Sequence, residues 1–353
     1  MLFSVKQPAS AKFLYGLILA VLVVVAGFAP APASATDATI APLATKSLLL
    51  DGQLIGERLV VVGERGHILT SDDFGHSWEQ RPAPTDVTLT SLYFIDEKTG
   101  WAAGHDAVIL RTDDGGENWR QLYSDPEDER PILDLWFRDV KTGYAIGGYG
   151  LFLVTEDGGR SWEPVDFAPA VLRFGESKKE NSWSQYEEEE AWGIDFHLNQ
   201  LVRDRFGRLF VAAEAGNLYR SDDNSRSWVS LPSPYDGSFY GMLPLQDGSL
   251  LFYGLRGHLF HSVDAGFTLK AIDTGTHATL NDALRLTDGR IVVAGLAGTL
   301  LLSHDNGQSF SRIKRTERLG IARILETPDH ALLLIGEGGA VRYQLPAAVE
   351  GAK

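Results

Sequence analysis

The carboxylates show the clearest pattern for chemistry in this sequence, because its 353 residues include no cysteine and its nine histidines are scattered. One aspartate recurs in a fixed octet: a hydroxyl residue, any residue, Asp, any residue, Gly, any residue, then Ser, Thr or Asn, then Trp. Carboxylate oxygens of this kind could coordinate a divalent cation. Each octet supplies only one such aspartate, and one acid per copy does not assemble an oxygen cage. The pattern therefore favours a structural role over a metal site.

The octet has the composition of a tight turn followed by a packing residue. Its Asp can accept hydrogen bonds from backbone N–H groups, its Gly permits a positive φ, and its Trp can pack between neighbouring units. In two of the six copies Leu269 and Phe310 replace the Trp. The predicted structural residues of the octets are Asp73, Trp78, Asp114, Trp119, Asp157, Trp162, Asp223, Trp228, Asp264 and Asp305.

Other signatures of catalysis and cofactor binding are absent from the sequence. No two histidines have the spacing of a zinc site, and there is no phosphate-binding loop, nucleophile elbow or His-Glu-x-x-His motif. We therefore predict no catalytic residue, no metal and no cofactor. A carbohydrate-active hydrolase stays open as the alternative, because acids around a central opening could approach one another as a catalytic pair.

The spacing of the octets indicates how the chain is organised. Their first residues lie at positions 71, 112, 155, 221, 262 and 303, which are separated by 41, 43, 66, 41 and 41 residues. A second marker keeps the same period upstream: a small residue stands at each end of a four-residue turn, from Gly63–Gly66 to Gly336–Gly339. This turn occurs seven times, once more than the octet. Two independent markers in register predict a single repeat domain of seven units.

Each unit divides into four short apolar stretches separated by turn residues. In the second unit these stretches are residues 90–95, 101–103, 108–111 and a last one that starts at Trp119. Short strands with Gly, Asn and Asp between them are typical of antiparallel meanders. The sequence therefore predicts an all-β fold, a seven-bladed β-propeller with four-stranded antiparallel blades.

The seventh unit ends before a fourth strand and has no octet. The apolar stretch at 39–43, just before the first unit, could supply that strand, and Pro42 is tolerable there because an outer edge needs no donor on its solvent side. We therefore predict that the N-terminal strand closes the ring as the outermost strand of the last blade.

Residues 1–35 have the character of a secretory signal peptide. Lys6 and Lys12 precede an uncharged apolar run, and Ala33-Ser34-Ala35 fits a cleavage site. An uncleaved membrane anchor is the alternative reading of that run. The predicted organisation is a signal peptide at 1–35, a propeller at 36–348 and a tail at 349–353.

The charge and the missing cysteines limit the partners. A net charge of −15 disfavours nucleic acid and anionic membrane surfaces. Without cysteine there can be no disulfide and no lipid-modified N-terminal cysteine. We expect an exported monomer with a protein partner and, after signal cleavage, no membrane span.

Binding residues are expected on one face of the propeller. The octets are third turns and share one face, whereas the small-residue turns and the loops between blades share the opposite face, where length and residue type vary. Variable loops on a rigid scaffold are frequent binding sites. The candidates on that face are Arg65, His105, Asp106, Tyr149, Tyr235, Tyr240, Arg256, Arg315, Arg318 and Glu337.

The interval of 66 residues places an insertion at about 166–194, between blades 3 and 4. It contains Trp183, Tyr186 and Trp192 among charged residues, including four consecutive glutamates. Aromatic residues of this kind are frequent partner contacts. The alternative is a solvated acidic loop whose aromatics fold back on the propeller.

The octet resembles the Asp-box of bacterial sialidases and related repeat proteins. The phrases Gly100-Trp101-Ala102-Ala103-Gly104 and Gly143-Tyr144-Ala145-Ile146-Gly147, with the ending from Ile335 to Gln344, resemble the photosystem II stability/assembly factor family. The resemblance covers about residues 46–345. It implies a seven-bladed, non-enzymatic propeller that binds a membrane complex during its assembly. A sialidase fits less well, because such enzymes normally have six blades and a Phe/Tyr-Arg-Ile-Pro segment that this sequence lacks.

Together these observations predict an exported scaffold that assists the assembly or stability of a membrane or envelope protein complex. The expected location is the periplasm, or the thylakoid lumen if the host is photosynthetic.

Overall fold

The repeat folds into four-strand units whose boundaries follow the two sequence markers. The structure is a computed structural model, and it describes residues 36–171 and 196–345. Blade 1 consists of β1 (Leu49–Ile55), β2 (Arg58–Gly63), β3 (Ile68–Ser71) and β4 (Glu79–Arg81). Blade 2 consists of β5 (Leu89–Phe94), β6 (Gly100–Gly104), β7 (Ile109–Thr112) and β8 (Arg120–Tyr123). Blade 3 consists of β9 (Ile132–Phe137), β10 (Gly143–Gly147), β11 (Phe152–Thr155) and β12 (Glu163–Pro164).

The remaining four blades repeat this order. Blade 4 contains β13 (Ala170–Val171), β14 (Leu198–Arg203), β15 (Leu209–Ala213), β16 (Leu218–Ser221) and β17 (Val229–Ser230). Blade 5 contains β18 (Phe239–Pro244), β19 (Leu250–Gly254), β20 (Leu259–Ser262) and β21 (Lys270–Ile272). Blade 6 contains β22 (Leu280–Arg285), β23 (Ile291–Gly295), β24 (Leu300–Ser303) and β25 (Ser311–Arg312). Blade 7 contains β26 (Ile321–Glu326), β27 (Leu332–Gly336) and β28 (Gly339–Tyr343).

The predicted fold is confirmed: seven sheets each run as a meander of antiparallel neighbours. The first strands of successive blades are neighbours around the whole ring, and β26 lies beside β1. Blade 4 has an addition that the sequence did not predict. The start of the insertion, β13, pairs with the outermost strand β17 in the parallel direction.

The burial of each strand depends on its place in the blade. The second strands of blades 2–7 are buried at every residue, because neighbouring blades cover both of their faces. This explains why they are continuous apolar runs rather than alternating ones. Seven apolar clusters form the core, one at each junction between adjacent blades. Each octet Trp contributes to one of these clusters, as Trp119 does between blades 1 and 2.

The small-residue turns connect the second and third strands. Most contain one turn of 3-10 helix; these are Glu64–Gly66, His105–Ala107, Gly148–Gly150, Leu255–Gly257 and Leu296–Gly298. The glycine before such a turn is required by a close approach to the loop between blades. A Cβ on Gly104 would lie 2.0 Å from the carbonyl oxygen of Thr88, and no side chain fits there.

The ring is not closed by the predicted N-terminal strand. In the described residues blade 7 has three strands, and residues 39–43 form no strand in it. Ala38 N donates to Ala83 O at 2.9 Å, and Ala41 N donates to the Gln80 side chain at 2.8 Å. The segment is therefore bonded to the outer part of blade 1, which leaves these amides unavailable to the edge of blade 7. A 3-10 turn follows at Ala44–Lys46, and Ala44 is buried in the cluster between blades 7 and 1.

Candidate functional site

The octets use their polar atoms within their own turns. In blade 2, Asp114 Oδ1 accepts hydrogen bonds from Thr112 Oγ1 at 2.8 Å and from Asn118 N at 2.9 Å. Its other oxygen accepts a bond from the Asn118 side chain at 2.8 Å. Equivalent bonds hold Asp73, Asp157, Asp223, Asp264 and Asp305. The described part of the chain has no group of three or more acid or histidine side chains placed to hold a metal ion.

These bonds stabilise the ionised form of the octet acids. Bonds from the backbone and side chain of Ser161 lower the pKa of Asp157 to about 2. Bonds from the side chain and backbone of Ser227 lower the pKa of Asp223 to about 2. These carboxylates accept hydrogen bonds from donors within their own turns. The octet aspartates therefore stabilise the turns.

The opposite face is formed by the tips of the turns between second and third strands. The tip residues of blades 1–6 all have a positive φ, and they are Arg65, Asp106, Tyr149, Ala215, Arg256 and Ala297. Left-handed backbone is costly for residues other than glycine. Four of the sequence-predicted binding residues therefore occupy one structural position. They project from the same face, which we call the tip face.

A cleft of about 660 Å³ opens on the tip face between blades 4 and 5. It brings together two predicted residues, Tyr235 and Arg256, with three that the prediction missed: Phe196, Glu214 and His258. Arg256 and His258 are exposed, and the Tyr235 ring stacks on His258 with 4.3 Å between ring centroids. The cleft therefore offers a cation, an aromatic surface and a carboxylate side by side.

The neighbouring blade extends this surface. Glu214 accepts a hydrogen bond from His197 N at 3.1 Å, and the His197 ring meets Tyr149 edge-on at 4.9 Å. Tyr149 is 55% exposed. Burial raises the pKa of Tyr240, and the Glu214 carboxylate adds to that rise. The cleft and these side chains form a mixed aromatic and charged surface across blades 3, 4 and 5.

The other predicted residues lie away from the cleft. Arg65 is at the tip of blade 1, and His105 and Asp106 are at the tip of blade 2. Arg315 donates to Gly298 O at 3.2 Å and lies over the Tyr343 ring, whereas Arg318 is exposed in the loop between blades 6 and 7. Glu337 accepts a hydrogen bond from Gly320 N at 2.7 Å and so holds that loop. Trp183, Tyr186 and Trp192 lie outside the described residues.

A second polar feature, which the sequence reasoning missed, surrounds the propeller axis. Each first strand has a β-bulge, and the residue after the bulge occupies the same position in every blade. We call this set the axial belt; it comprises Asp51, Ser91, Asp134, Gln200, Gly241, Asp282 and Arg323. Polar residues recurring at 200, 282 and 323, at multiples of the 41-residue period, were the signal that could have revealed it.

Most belt residues bond to the next blade. Five of them accept a hydrogen bond from a backbone N–H of the following first strand, as Asp51 does from Leu92 N at 2.7 Å. Blade 5 has Gly241 instead, and a Cβ there would lie 2.5 Å from the Tyr253 hydroxyl. That hydroxyl therefore occupies the place of a belt side chain. The belt links successive blades through the centre of the ring.

Arg323 closes the belt between the last blade and its two neighbours. Its Nε lies 3.2 Å from Asp51 Oδ1, and its Nη1 lies 3.3 Å from Asp282 Oδ1. Both acids raise the pKa of Arg323, with Asp282 the stronger. Burial raises the pKa of Asp282 to about 6 although Arg323 opposes the rise. Burial also raises the pKa of Asp134 to about 7.

Comparisons with known proteins give a consistent picture of the fold. Residues 38–128 match the family model described as Photosynthesis system II assembly factor YCF48. A segment of 55 residues is 40% identical to the Photosystem II assembly protein Ycf48 of Thermosynechococcus vestitus; it spans 15% of this chain and 16% of that protein. The resemblance predicted from the repeat phrases is thus confirmed.

Solved structures show how widely this architecture is used. A structure of YCF48 bound to D1 peptide is 20% identical, with a TM-score of 0.65 over 85% of this chain and 94% of that one. A streptogramin B lyase has the same TM-score of 0.65 at 12% identity, over 84% of this chain and 93% of that one. Because an assembly factor and a lyase share the fold, the function has to be argued from the site. In residues 36–171 and 196–345, no helix has the length and hydropathy needed to cross a membrane.

Proposed function

We propose that this protein is an exported, non-enzymatic scaffold that binds a polypeptide segment of a membrane or envelope protein complex and assists its assembly or stability. The cleft between blades 4 and 5 carries this proposal, because it combines an exposed cation, stacked aromatic rings and a carboxylate on the tip face. A peptide offers matching groups: backbone amides, apolar side chains and charges. The similar YCF48 structure with a bound D1 peptide supports polypeptide as the ligand class.

The proposed location is the periplasm, or the thylakoid lumen in a photosynthetic host, after removal of residues 1–35. The charged and apolar pattern of that segment supports export. We place the Trp183, Tyr186 and Trp192 side chains of the insertion among the partner contacts, because the insertion returns to the fold at Phe196, which lines the cleft.

A charge reversal in the cleft tests the proposal. Arg256→Glu changes an exposed tip residue, and Arg226→Glu makes the same change at an exposed octet residue on the other face. Each variant is used as bait in envelope extracts, beside the wild-type chain. We expect Arg256→Glu to lose a protein that wild type and Arg226→Glu both retain. Identical captured proteins from all three baits would remove the cleft from the binding surface.

Deletion of residues 172–192 tests the role of the insertion separately. If the insertion contacts the partner, the shortened bait captures less of the protein that depends on Arg256. Equal capture by the shortened and full-length baits would reject the insertion while leaving the cleft in place.

A further inference from the structure

The axial belt contains one cation for three carboxylates, and the geometry shows which acid lacks a partner. Arg323 lies between Asp51 and Asp282, within 3.3 Å of both. Asp134 has no cation in salt-bridge contact among the described residues. Its bonds come from Leu201 N at 2.8 Å, Leu135 N at 2.9 Å and Ser91 Oγ at 3.3 Å.

The charged and titratable groups around Asp134 come from several blades. Asp51 acts on it from blade 1 and opposes its ionisation, whereas Arg323 acts from blade 7 and favours it. The Asp134 charge raises the pKa values of two phenols, Tyr93 of blade 2 and Tyr253 of blade 5. Asp282 of blade 6 forms an ion pair with the same Arg323. Ser91 is a neutral neighbour whose hydroxyl donates to Asp134. A carboxylate at Asp134 is therefore stabilised by hydrogen bonds but not by a paired charge.

The hydrogen-bond pattern can accommodate a proton on Asp134. Its Oδ2 would still accept the bond from Leu201 N of blade 4. A proton on Oδ1 would be donated to Ser91 Oγ, which already accepts a bond from Leu135 N, and the Ser91 hydroxyl would then give up its own donation to Oδ1. Protonation thus removes an unpaired buried charge at the cost of the one hydrogen bond that Ser91 Oγ donates to Asp134, and the link between blades 3 and 4 is kept.

We propose that the axial belt makes the ring respond to pH: Asp134 takes up a proton as its surroundings become acidic, and the closed propeller becomes more stable. The sign follows from linkage. Burial places the pKa of Asp134 at about 7, above the ordinary value of 3.8, so the folded chain binds one proton more than the unfolded chain between these values. The contribution of Asp134 to the free energy of unfolding is therefore fully present at low pH. It falls as pH rises through this window and levels off above the folded-state pKa.

The size of the effect follows from one proton. Each pH unit within the window multiplies the unfolding equilibrium constant about tenfold. Between pH 5 and pH 7 the contribution of Asp134 is about fiftyfold, because the folded-state group is already half ionised at pH 7. Two histidines act in the opposite sense: His67 is buried and His261 is partly buried, desolvation lowers both pKa values, and protonation then opposes folding. The measurement must therefore compare variants at each pH.

The test is urea unfolding of the full mature chain from pH 5 to pH 8, for wild type, Asp134→Asn and the exposed control Asp166→Asn. Asn keeps the acceptor for Leu201 N and removes the charge. We expect the ratio of unfolding constants, wild type over Asp134→Asn, to rise about fiftyfold from pH 5 to pH 7. For Asp166→Asn that ratio should stay constant. A ratio for Asp134→Asn that is equally constant would overturn the proposal.

A direct titration keeps the proposal falsifiable if Asp134→Asn does not fold. The side-chain carbon resonance of Asp134 in the wild-type chain reports its own protonation. A midpoint near 7 supports the proposal, and a midpoint near 4 contradicts it.

Discussion

Replacing Arg323 by methionine should weaken the ring more than any exposed substitution. The change removes the cation that lies between Asp51 and Asp282, and Asp282 exposes only 4% of its side chain. Breaking a buried ion pair by removing one partner costs about 3–5 kcal/mol. Because 35% of the Arg323 side chain is accessible to water, solvent screening reduces that figure. We expect a loss of about 2–4 kcal/mol in the free energy of unfolding at pH 8.

Urea unfolding followed by tryptophan fluorescence measures this loss, with the exposed Arg312→Met as control. The loss should be smaller at pH 5, because Asp51 and Asp282 can then take up protons and no unpaired charge remains; burial already raises both pKa values. Adding Asp282→Asn to Arg323→Met should recover part of the stability at pH 8 for the same reason. A loss below about 1 kcal/mol at pH 8, or no recovery in the double variant, would refute the role assigned to the belt.

Three further predictions concern the two faces. Asp114→Ala removes three hydrogen bonds accepted within its octet and should lower the free energy of unfolding by about 1–2 kcal/mol, measured by urea unfolding. Ala297→Gly relieves a positive φ of 53° and should stabilise the fold by about 0.5–1 kcal/mol in the same assay; a loss would show that the tip is not strained. The pKa values of about 2 at Asp157 and Asp223 predict that both carboxylates stabilise the fold above pH 4. This contribution to the free energy of unfolding is lost as pH falls toward 2. Circular dichroism during acid titration of Asp157→Asn should show a shallower acid transition than wild type.

The repeat made most of the fold predictable from the sequence. The stretches at 90–95, 101–103 and 108–111 correspond to β5, β6 and β7 within one or two residues. Their positions were predictable because turn chemistry is local: a glycine or an octet marks the end of a strand whatever lies around it. The seven-blade count followed from the turn marker for the same reason.

Ring closure depended on non-local bonds that no local pattern reveals. Residues 39–43 are apolar and adjacent to the first blade, which made them a reasonable strand for blade 7. Ala38 and Ala41 instead bond to Ala83 and Gln80 of blade 1. The choice between these two edges depends on which acceptors lie within reach after folding, and composition does not contain that information.

The axial belt was missed for a different reason. Its members differ in residue type, so a search for a repeated residue does not find them. A single Asp134 in an apolar strand has no evident meaning until seven first strands are superposed at their bulges. The cleft was predictable only in part: Tyr235 and Arg256 were found as loop residues, whereas Phe196 and His258 are brought beside them by the packing of blades 4 and 5.

The belt also bears on the alternative of a hydrolase with acids at the central opening. Such an enzyme needs one ionised carboxylate free to act as a base or nucleophile and one protonated carboxyl free to donate. Near the axis, Asp51 and Asp282 share Arg323, and each also accepts a backbone hydrogen bond from the next blade. Asp134 accepts bonds on both of its oxygens. These acids connect blades to one another, so a substrate could use them only by loosening the ring. At the tips, by contrast, the cleft presents an arginine beside aromatic rings, and these are groups that the proposed polypeptide partner could contact.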